Sequence, residues 1–415
     1  MSLGPITIFD KSALQSFNVD EACWFGHFYL INITPLFFVE TLADLKKEMA
    51  KGRAPEEVVG SIADKTPPEG VPNVNHRELS VAELMGYKLD MRRVPIVAGG
   101  RPVKSPSQRG LIFEPAPEMK ALQRWQEGAF LEVEYQYASA WRLALQRRTS
   151  EEGGEWVRVM GGFQAHPRDL SEAKRLAEHV VCSDRHRYAL LKVAFQTFGI
   201  SSLERSSIIK RWKDEGGPPF REFAPYTAHI LTVDAFFQIA LEASLISRER
   251  GSNRADMAYL YYLPFCMIFV SNDRLHAKTA PLFLRSDQTF LDGKELKADL
   301  ARLDQYYSAL PPEVRERGII AFAPDPPEDT QFVTTRMWDR FLPAWRETKK
   351  NRRPREPEED ARLVAHLKKI TELPRGEPGT ALGLGEPDFV TFERSIPIRM
   401  GKWRLIPPEA EHQGS

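Results

Sequence analysis

Short runs of apolar and β-branched residues, separated by helical patterns, are the feature that most constrains the fold of this chain. Such runs occupy Ile6–Phe9, Tyr29–Ile33, Met267–Val270 and Gln288–Leu291. Their length and composition are typical of buried strands. Apolar residues at helical spacing follow at Pro35–Met49, Ala224–Arg250 and Lys294–Tyr307. Because strands and helices alternate, the pattern predicts an α/β fold with a parallel sheet flanked by helices.

The stretch from residue 51 to residue 219 is organised differently, with Pro/Gly-rich connections between mostly helical patterns. The helical patterns run over Pro117–Arg147, Leu170–Val181 and Ala189–Trp212. We therefore expect three parts: a discontinuous α/β domain made of residues 1–50 and 220–310, a helical insertion at 51–219, and a partly irregular C-terminal extension at 311–415.

Composition restricts the classes of partner. Lys+Arg and Asp+Glu both number 57 in the 415 residues, so any nucleic-acid contact has to be a local basic patch. The longest apolar run, Ala258–Val270, is interrupted by Pro264 and is shorter than the roughly 20 residues that span a bilayer. The N-terminal residues lack the pattern of a secretion signal. These features predict a cytoplasmic protein that makes no use of a membrane.

Four acidic residues accompany the predicted strands. Asp10 directly follows the first strand, and Asp273 follows the strand at Met267–Val270. Glu40 lies on the helix that Thr34-Pro35 opens, and Asp256 precedes the third strand. In an open parallel sheet, the loops after the strands converge on one crevice. The spacing therefore predicts that these carboxylates approach one another.

Converging carboxylates repel one another, and a divalent cation compensates for that repulsion. A pocket of oxygen ligands without histidine suits Mg²⁺ or Mn²⁺ better than zinc. The alternative is a purely structural role, because acidic residues at helix starts also cap helices or face water. The residues themselves leave both interpretations open.

The same segments resemble the acidic motifs of PIN-like domain nucleases. The likeness rests on Asp10-Lys11-Ser12-Ala13-Leu14, on Glu40 in its helix, on Asp256 and on Val270-Ser271-Asn272-Asp273, within residues 1–50 and 220–310. It implies that Asp10, Glu40, Asp256 and Asp273 are the catalytic and metal-binding residues. Ser12 and Ser271 would support them, and Asp44 and Asn272 complete the expected supporting set. The long connection between Glu40 and Asp256 departs from the compact family pattern.

The resemblance implies a Mg²⁺- or Mn²⁺-dependent nuclease that hydrolyses phosphodiester bonds, with RNA favoured over DNA. Basic residues beside the acidic motifs are candidates for contacts with backbone phosphates, namely Lys11, Arg254, Arg274 and Lys278. The alternative is a catalytically inactive PIN-like module that binds nucleic acid or protein. In either case, the insertion at 51–219 is the expected surface for a protein partner or for self-association.

Overall fold

The computed structural model describes residues 4–97, 100–104, 108–140, 167–183, 187–248, 252–352, 362, 365–366, 388–392 and 396–408. Its centre is a sheet of five strands, all parallel, in the order β3-β2-β1-β6-β7. The strands are β1 (Ile6–Phe9), β2 (Leu30–Ile33), β3 (Val71–Pro72), β6 (Ile268–Ser271) and β7 (Thr289–Asp292). A second sheet contains β4 (Gly100–Lys104), β5 (Arg109–Phe113) and β8 (Phe389–Phe392), and β9 (Arg399–Met400) pairs with β10 (Trp403–Arg404).

Helices connect and cover the strands. In the first half of the chain they are α1 (Lys11–Ser16), α2 (Val19–Phe28), α3 (Pro35–Ala43), α4 (Leu45–Met49), α5 (Pro55–Ala63), α6 (His76–Leu84), α7 (Pro117–Gln126), α8 (Leu170–Cys182) and α9 (Arg187–Thr197). Those that follow are α10 (Ser202–Asp214), α11 (Phe220–Phe223), α12 (Pro225–Glu242), α13 (Asn253–Ala258), α14 (Arg274–Phe283), α15 (Gly293–Ser308), α16 (Pro312–Arg315), α17 (Ile319–Phe322), α18 (Val333–Phe341) and α19 (Trp345–Lys350). A 3₁₀ helix spans Tyr259–Phe265, and residues 132–140 are also helical.

The two faces of the central sheet bury separate hydrophobic cores. Ile8 and Phe269 point into a core shared with α8–α12 and the 3₁₀ helix. Phe9, Ile268 and Val270 point into the other core, shared with α1, α2, α5 and α15. Successive side chains of a strand point to opposite faces, so continuous apolar runs are the expected composition of a sheet covered on both sides. The predicted α/β class with a parallel sheet flanked by helices is confirmed.

The order of the strands reverses at β1. From β1 the chain adds β2 and β3 on one side, and then returns to add β6 and β7 on the other. The carboxyl ends of β1 and β6 are therefore neighbours, and the backbone N–H of Asp10 donates to the carbonyl of Val270 at 3.1 Å. Crevices at such reversal points are the usual ligand sites of open parallel sheets.

Several predicted boundaries differ from the structure. β3 lies inside the predicted insertion, so the central sheet extends past residue 50, and β4 and β5 add strands to a stretch expected to be mostly helical. The helix predicted over Pro117–Arg147 ends at Gln126, before Gly128 with φ of +74°. Residues 132–140 resume helical structure, and residues 141–147 lie outside the described ones.

Two further long helices are also shorter than predicted. The pattern at Ala189–Trp212 is interrupted at Gly199, whose φ of +58° separates α9 from α10. The pattern at Ala224–Arg250 ends as α12 at Glu242, before Ser244 with φ of +58°. Left-handed backbone of this kind ends helices, and apolar periodicity does not register it. Within the described part of the chain, no helix has the length and apolar character needed to cross a membrane.

The described part of the C-terminal extension packs onto the sheet domain. The indole N–H of Trp338 in α18 donates to the carbonyl of Phe28 at 2.8 Å. Trp403 in β10 donates to Asp304 of α15 at 2.7 Å and lies edge-on to Trp24, with ring centroids 4.8 Å apart. These indoles are buried and have hydrogen-bond partners, so this part of the extension belongs to the hydrophobic core of the domain.

Candidate acidic site at the carboxyl edge of the sheet

Asp10 is fixed at the end of β1 by several hydrogen bonds. Its Oδ1 accepts from the backbone N–H of Ala13 at 2.9 Å and so caps α1. Its Oδ2 accepts from the hydroxyls of Ser12 and Ser271, each at 2.7 Å. The two serines predicted as supporting residues therefore contact Asp10 directly. Only 3% of Asp10 is exposed, so these bonds compensate for the water that its carboxylate has lost.

His276 completes the surroundings of Asp10 and was not among the predicted site residues. Its Nε2 lies 2.7 Å from the carbonyl oxygen of Asp256, which only accepts, so Nε2 carries a proton. Its Nδ1 lies 2.8 Å from Ser271 Oγ and 3.5 Å from Asp10 Oδ2. Because the Ser271 hydroxyl donates to Asp10, Nδ1 also has to donate. Both ring nitrogens therefore face acceptors, which favours the imidazolium form.

The charges of His276 and Asp10 shift one another. Burial lowers the pKa of His276, but the hydrogen bond and negative charge of Asp10 outweigh it and raise this pKa to about 9. Burial raises the pKa of Asp10, and the contact with His276, aided by Ser12 and Ser271, holds it below its usual value. The two residues thus form a buried ion pair beneath the crevice. A histidine five positions after the last strand residue carries no local signal for this pairing.

Glu40 approaches the same region from α3. Its Oε2 accepts from the hydroxyl of Tyr259 at 2.7 Å. The ring of Tyr259 in turn lies edge-on to His276, with centroids 5.6 Å apart. Asp256 precedes Tyr259 by less than one helical turn and contributes the carbonyl that holds His276. The structure thus brings the segments carrying Asp10, Glu40 and Asp256 together around Tyr259 and His276.

Electrostatics show that these three carboxylates share one environment. Burial is the main reason why the pKa of Glu40 rises to about 7, and the negative charge of Asp10 raises it further. The Tyr259 hydroxyl and the positive charge of Lys11 act in the opposite direction, and Asp256 again raises it. Burial and the neighbouring carboxylates together outweigh Lys11 and the Tyr259 hydroxyl, so Glu40 holds its proton to a higher pH than an exposed carboxyl group does.

Asp273, the fourth predicted ligand, uses its carboxylate to cap a helix, and it is not among the charges that shift the pKa of Glu40. It is the N-cap of α14, where Oδ1 accepts from the backbone N–H of Leu275 at 2.6 Å and of His276 at 3.3 Å. Asn272 beside it donates from Nδ2 to the carbonyl of Ser12 at 3.2 Å. Asn272 therefore ties the loop after β6 to the loop after β1. The contact that the structure gives Asn272 is this bridge between loops, and its supporting role at a metal site stays a prediction.

The four predicted phosphate contacts divide into two groups. Lys11 is buried and forms an ion pair with Asp44. Arg254 is also buried and pairs with Asp234, with Nη2 and Oδ1 3.3 Å apart. Both cations thus act inside the protein in this structure, and Asp44 accompanies Lys11 rather than Asp10. Arg274 and Lys278 are exposed on α14, where solvent and ligands reach them.

The donor chemistry of the site agrees with a hard divalent cation. Asp10, Glu40 and Asp256 carry carboxylate oxygens, the kind of ligand that Mg²⁺ and Mn²⁺ prefer. Among the described residues, however, no group of three His, Cys, Asp or Glu side chains is drawn into a set that holds a metal ion. A cation would have to bring these carboxylates closer together.

The arrangement also supports proton transfer in the absence of a metal ion. A partly buried carboxyl group with a pKa of about 7 exchanges a proton readily near neutral pH, and Tyr259 fixes its orientation. The buried ion pair of His276 and Asp10 lies in the same region, with the ring of Tyr259 edge-on to His276. Comparisons with protein-family models, with curated proteins and with solved structures found no match to this chain.

Proposed function

We propose that this chain is a PIN-like nuclease that hydrolyses phosphodiester bonds with the help of Mg²⁺ or Mn²⁺, acting on RNA in preference to DNA. The observation that carries the proposal is the convergence of the segments bearing Asp10, Glu40 and Asp256 at the reversal point of the sheet, where Tyr259 donates to Glu40 and His276 contacts both Asp10 and the carbonyl of Asp256. The preference for RNA follows only from the family resemblance. Arg274 and Lys278 are the exposed cations available to a phosphate backbone.

Each residue of the site has a separate task in this proposal. Asp10, Glu40 and Asp256 would hold the cation, which when bound supplies Lewis-acid activation of water and neutralises phosphate charge. Tyr259 orients Glu40, and His276 keeps Asp10 ionised and in place.

The test uses Glu40→Gln with Glu56→Gln as its matched control. The glutamine side chain of the first variant keeps an oxygen that accepts from Tyr259, whereas Asp10→Asn would also disturb a buried ion pair and a helix cap. Glu56 is an exposed residue of α5. Thermal unfolding is measured during titration with Mn²⁺, and cleavage is measured on labelled single-stranded RNA and on DNA of the same sequence.

We expect Mn²⁺ to raise the melting temperature of the native protein and of the control, because a ligand that binds only the folded state stabilises it. Glu40→Gln should lose most of that rise, and its RNA cleavage should fall by roughly a hundredfold or more, because losing a metal ligand costs at least as much as losing a residue that only supports one. Unchanged cleavage by this variant, or cleavage that persists in excess EDTA, contradicts the proposed mechanism.

A second candidate is a PIN-like module that binds nucleic acid or protein without catalysis. The observation that favours it is the internal ion pair, since His276 already neutralises Asp10. It predicts no Mn²⁺-linked rise in melting temperature and no cleavage, while fluorescence anisotropy still detects binding of the RNA in EDTA. The two measurements together therefore separate the candidates.

A further inference from the structure

A large cavity lies on the side of α3 that faces away from the acidic site. Its volume is about 630 Å³, it opens to solvent, and it is lined by α3, by the loop after β3, by the start of α7 and by residues 133–138. This size falls within the range of pockets that hold small organic ligands, roughly 300–1,000 Å³. None of Asp10, Glu40, Asp256 and Asp273 lines it. The cavity is therefore a separate feature of the molecule.

Asn73 is a buried polar side chain in the wall of this cavity. Only 5% of it is exposed, yet neither its Nδ2 nor its Oδ1 has a hydrogen-bond partner among the described residues. Its backbone N–H is occupied by the carbonyl of Ile33, at 2.8 Å, which fixes the residue at the end of β3. A buried amide without partners is costly for folding alone. A ligand that both donates and accepts hydrogen bonds would satisfy it.

Two carboxylates line the cavity without compensation by a described cation. Glu118 on α7 is half-buried and Glu78 on α6 is exposed. Neither forms an ion pair or hydrogen bond with a described residue, whereas Glu114 pairs with Arg101 and Glu134 with Arg124. Burial raises the pKa of Tyr262, and the charges of both Glu78 and Glu118 raise it further, so the two carboxylates act on one region. The net negative charge disfavours phosphates and carboxylates as ligands and favours cations.

The remaining wall is apolar and aromatic. The rings of Phe38 and Trp125 line it, with centroids 6.2 Å apart, and Val39 and Leu42 add aliphatic surface from α3. Aromatic faces attract organic cations and also pack against flat ligands. A single ligand with a positive charge, a flat apolar body and a polar edge would therefore match the carboxylates, the aromatic wall and the amide of Asn73.

We propose that this cavity binds a small organic cation with a flat apolar body and a polar edge that pairs with the amide of Asn73. Glu78 and Glu118 select the positive charge, Phe38 and Trp125 contact the body, and Asn73 sets the orientation. This binding site does not depend on the proposed phosphodiester hydrolysis, so evidence against it would leave the nuclease proposal unchanged.

The test uses three probes of nearly equal shape and different charge: benzamidinium, benzamide and benzoate. Binding to the full-length protein is measured by isothermal titration calorimetry and by the shift in melting temperature at millimolar probe concentrations. We expect benzamidinium to bind, benzamide to bind more weakly and benzoate to give no signal. Equal signals from the three probes, or none from benzamidinium, overturn the proposal.

Variants locate the binding. Glu78→Gln combined with Glu118→Gln should weaken benzamidinium roughly tenfold or more, the scale of a lost charge-assisted contact, while exposed Glu313→Gln should have no effect. Asn73→Leu should weaken all binding and, without a probe, should raise the melting temperature because it removes the unsatisfied amide. A lower melting temperature for Asn73→Leu, or full affinity in the double glutamine variant, overturns the assignment.

Discussion

The imidazole of His276 lies with its Nδ1 3.5 Å from Oδ2 of Asp10, and both residues are buried. The pKa of the histidine is raised by this carboxylate and that of the aspartate is held low by this imidazolium, although burial opposes both shifts. The acidic edge of the sheet therefore contains its own cation. Glu40 is instead the carboxylate whose pKa is raised, mainly by burial and further by the charge of Asp10.

Replacing His276 with glutamine should destabilise the protein in a pH-dependent way. The pKa of His276 rises from 6.5 in the unfolded chain to about 9, so its contribution is fully present below pH 6.5 and is lost as the pH rises through 9. We expect a loss of about 3 kcal/mol near pH 6, which is typical of a broken buried ion pair, and a much smaller loss near pH 10. Urea unfolding followed by fluorescence measures both.

A double-mutant cycle provides the control for this pair. Asp10→Asn, His276→Gln and the double variant are compared in the same urea experiment. If the contact is direct, the double variant should lose less free energy of unfolding than the two single variants lose together, and the difference should be at least about 1 kcal/mol. Additive losses would mean that each residue acts through other partners.

Glu40→Gln should have the opposite effect on stability. The pKa of Glu40 is raised from 4.5 in the unfolded chain to about 7 in the folded protein. Between these pH values the carboxyl group ionises in the unfolded chain but not in the folded protein, so the free energy of unfolding falls as the pH rises. The variant should match the native protein below about pH 4.5 and exceed it by about 1–3 kcal/mol above about pH 8. Urea unfolding at the two pH values measures the difference, and exposed Glu56→Gln should show none. A variant that is less stable at the higher pH contradicts the raised pKa of Glu40.

The sequence predicted the parts of the fold that depend on local pattern. Buried strands of a two-sided sheet are continuous apolar runs, so β1, β2, β6 and β7 were predicted within one or two residues of their bounds. The two residues of β3, one of them proline, carry no such pattern and are held by pairing with β2. Local periodicity also runs through Gly128 and Gly199, where only backbone geometry ends the helices.

In the candidate site, too, local sequence pattern pointed to some residues, whereas others depend on contacts that exist only in the folded protein. Asp10 was identified by its position after a strand, and Ser12 and Ser271 by their places in the resemblance. The roles of His276 and Tyr259 depend on contacts between distant segments. His276 contacts Asp10 at the end of β1, and the hydroxyl of Tyr259 donates to Glu40 in α3. The same is true of Lys11 and Arg254, whose partners Asp44 and Asp234 become neighbours only after folding.

Gly293→Ala should disturb the loops that carry the site. A Cβ on Gly293 would lie 2.6 Å from Oδ1 of Asn272 and 3.0 Å from its Cγ, closer than packed atoms allow. Asn272 holds the carbonyl of Ser12, so its displacement also loosens the support of Asp10. We expect a loss of about 1–3 kcal/mol in urea unfolding, typical of overpacking.

Asn272→Ala gives a matched background for this substitution. Alanine at 272 lacks the atoms that the new Cβ would meet, so Gly293→Ala should add almost no cost in that background. An equal cost in both backgrounds would show that the strain arises elsewhere in α15.

Asp299→Ala should release α18 from the sheet domain. Asp299 is fully buried in α15, and its carboxylate accepts from the backbone N–H of Val333 at 2.7 Å and from the backbone N–H and hydroxyl of Thr334, each at 2.8 Å. It therefore caps α18 from another helix. Loss of a cap that also leaves buried donors unsatisfied should cost about 2–4 kcal/mol.

Hydrogen exchange distinguishes this local effect from general destabilisation. Amides of Val333–Phe341 should exchange faster in Asp299→Ala, and the contact of Trp338 with Phe28 should loosen, while amides of β1 and β6 change only as much as the global stability does. Exposed Asp214→Ala is the control and should leave exchange unchanged. Uniform acceleration across the sheet and α18 would show that the two unfold as one unit, because the cap then stabilises the whole domain rather than the attachment of one helix.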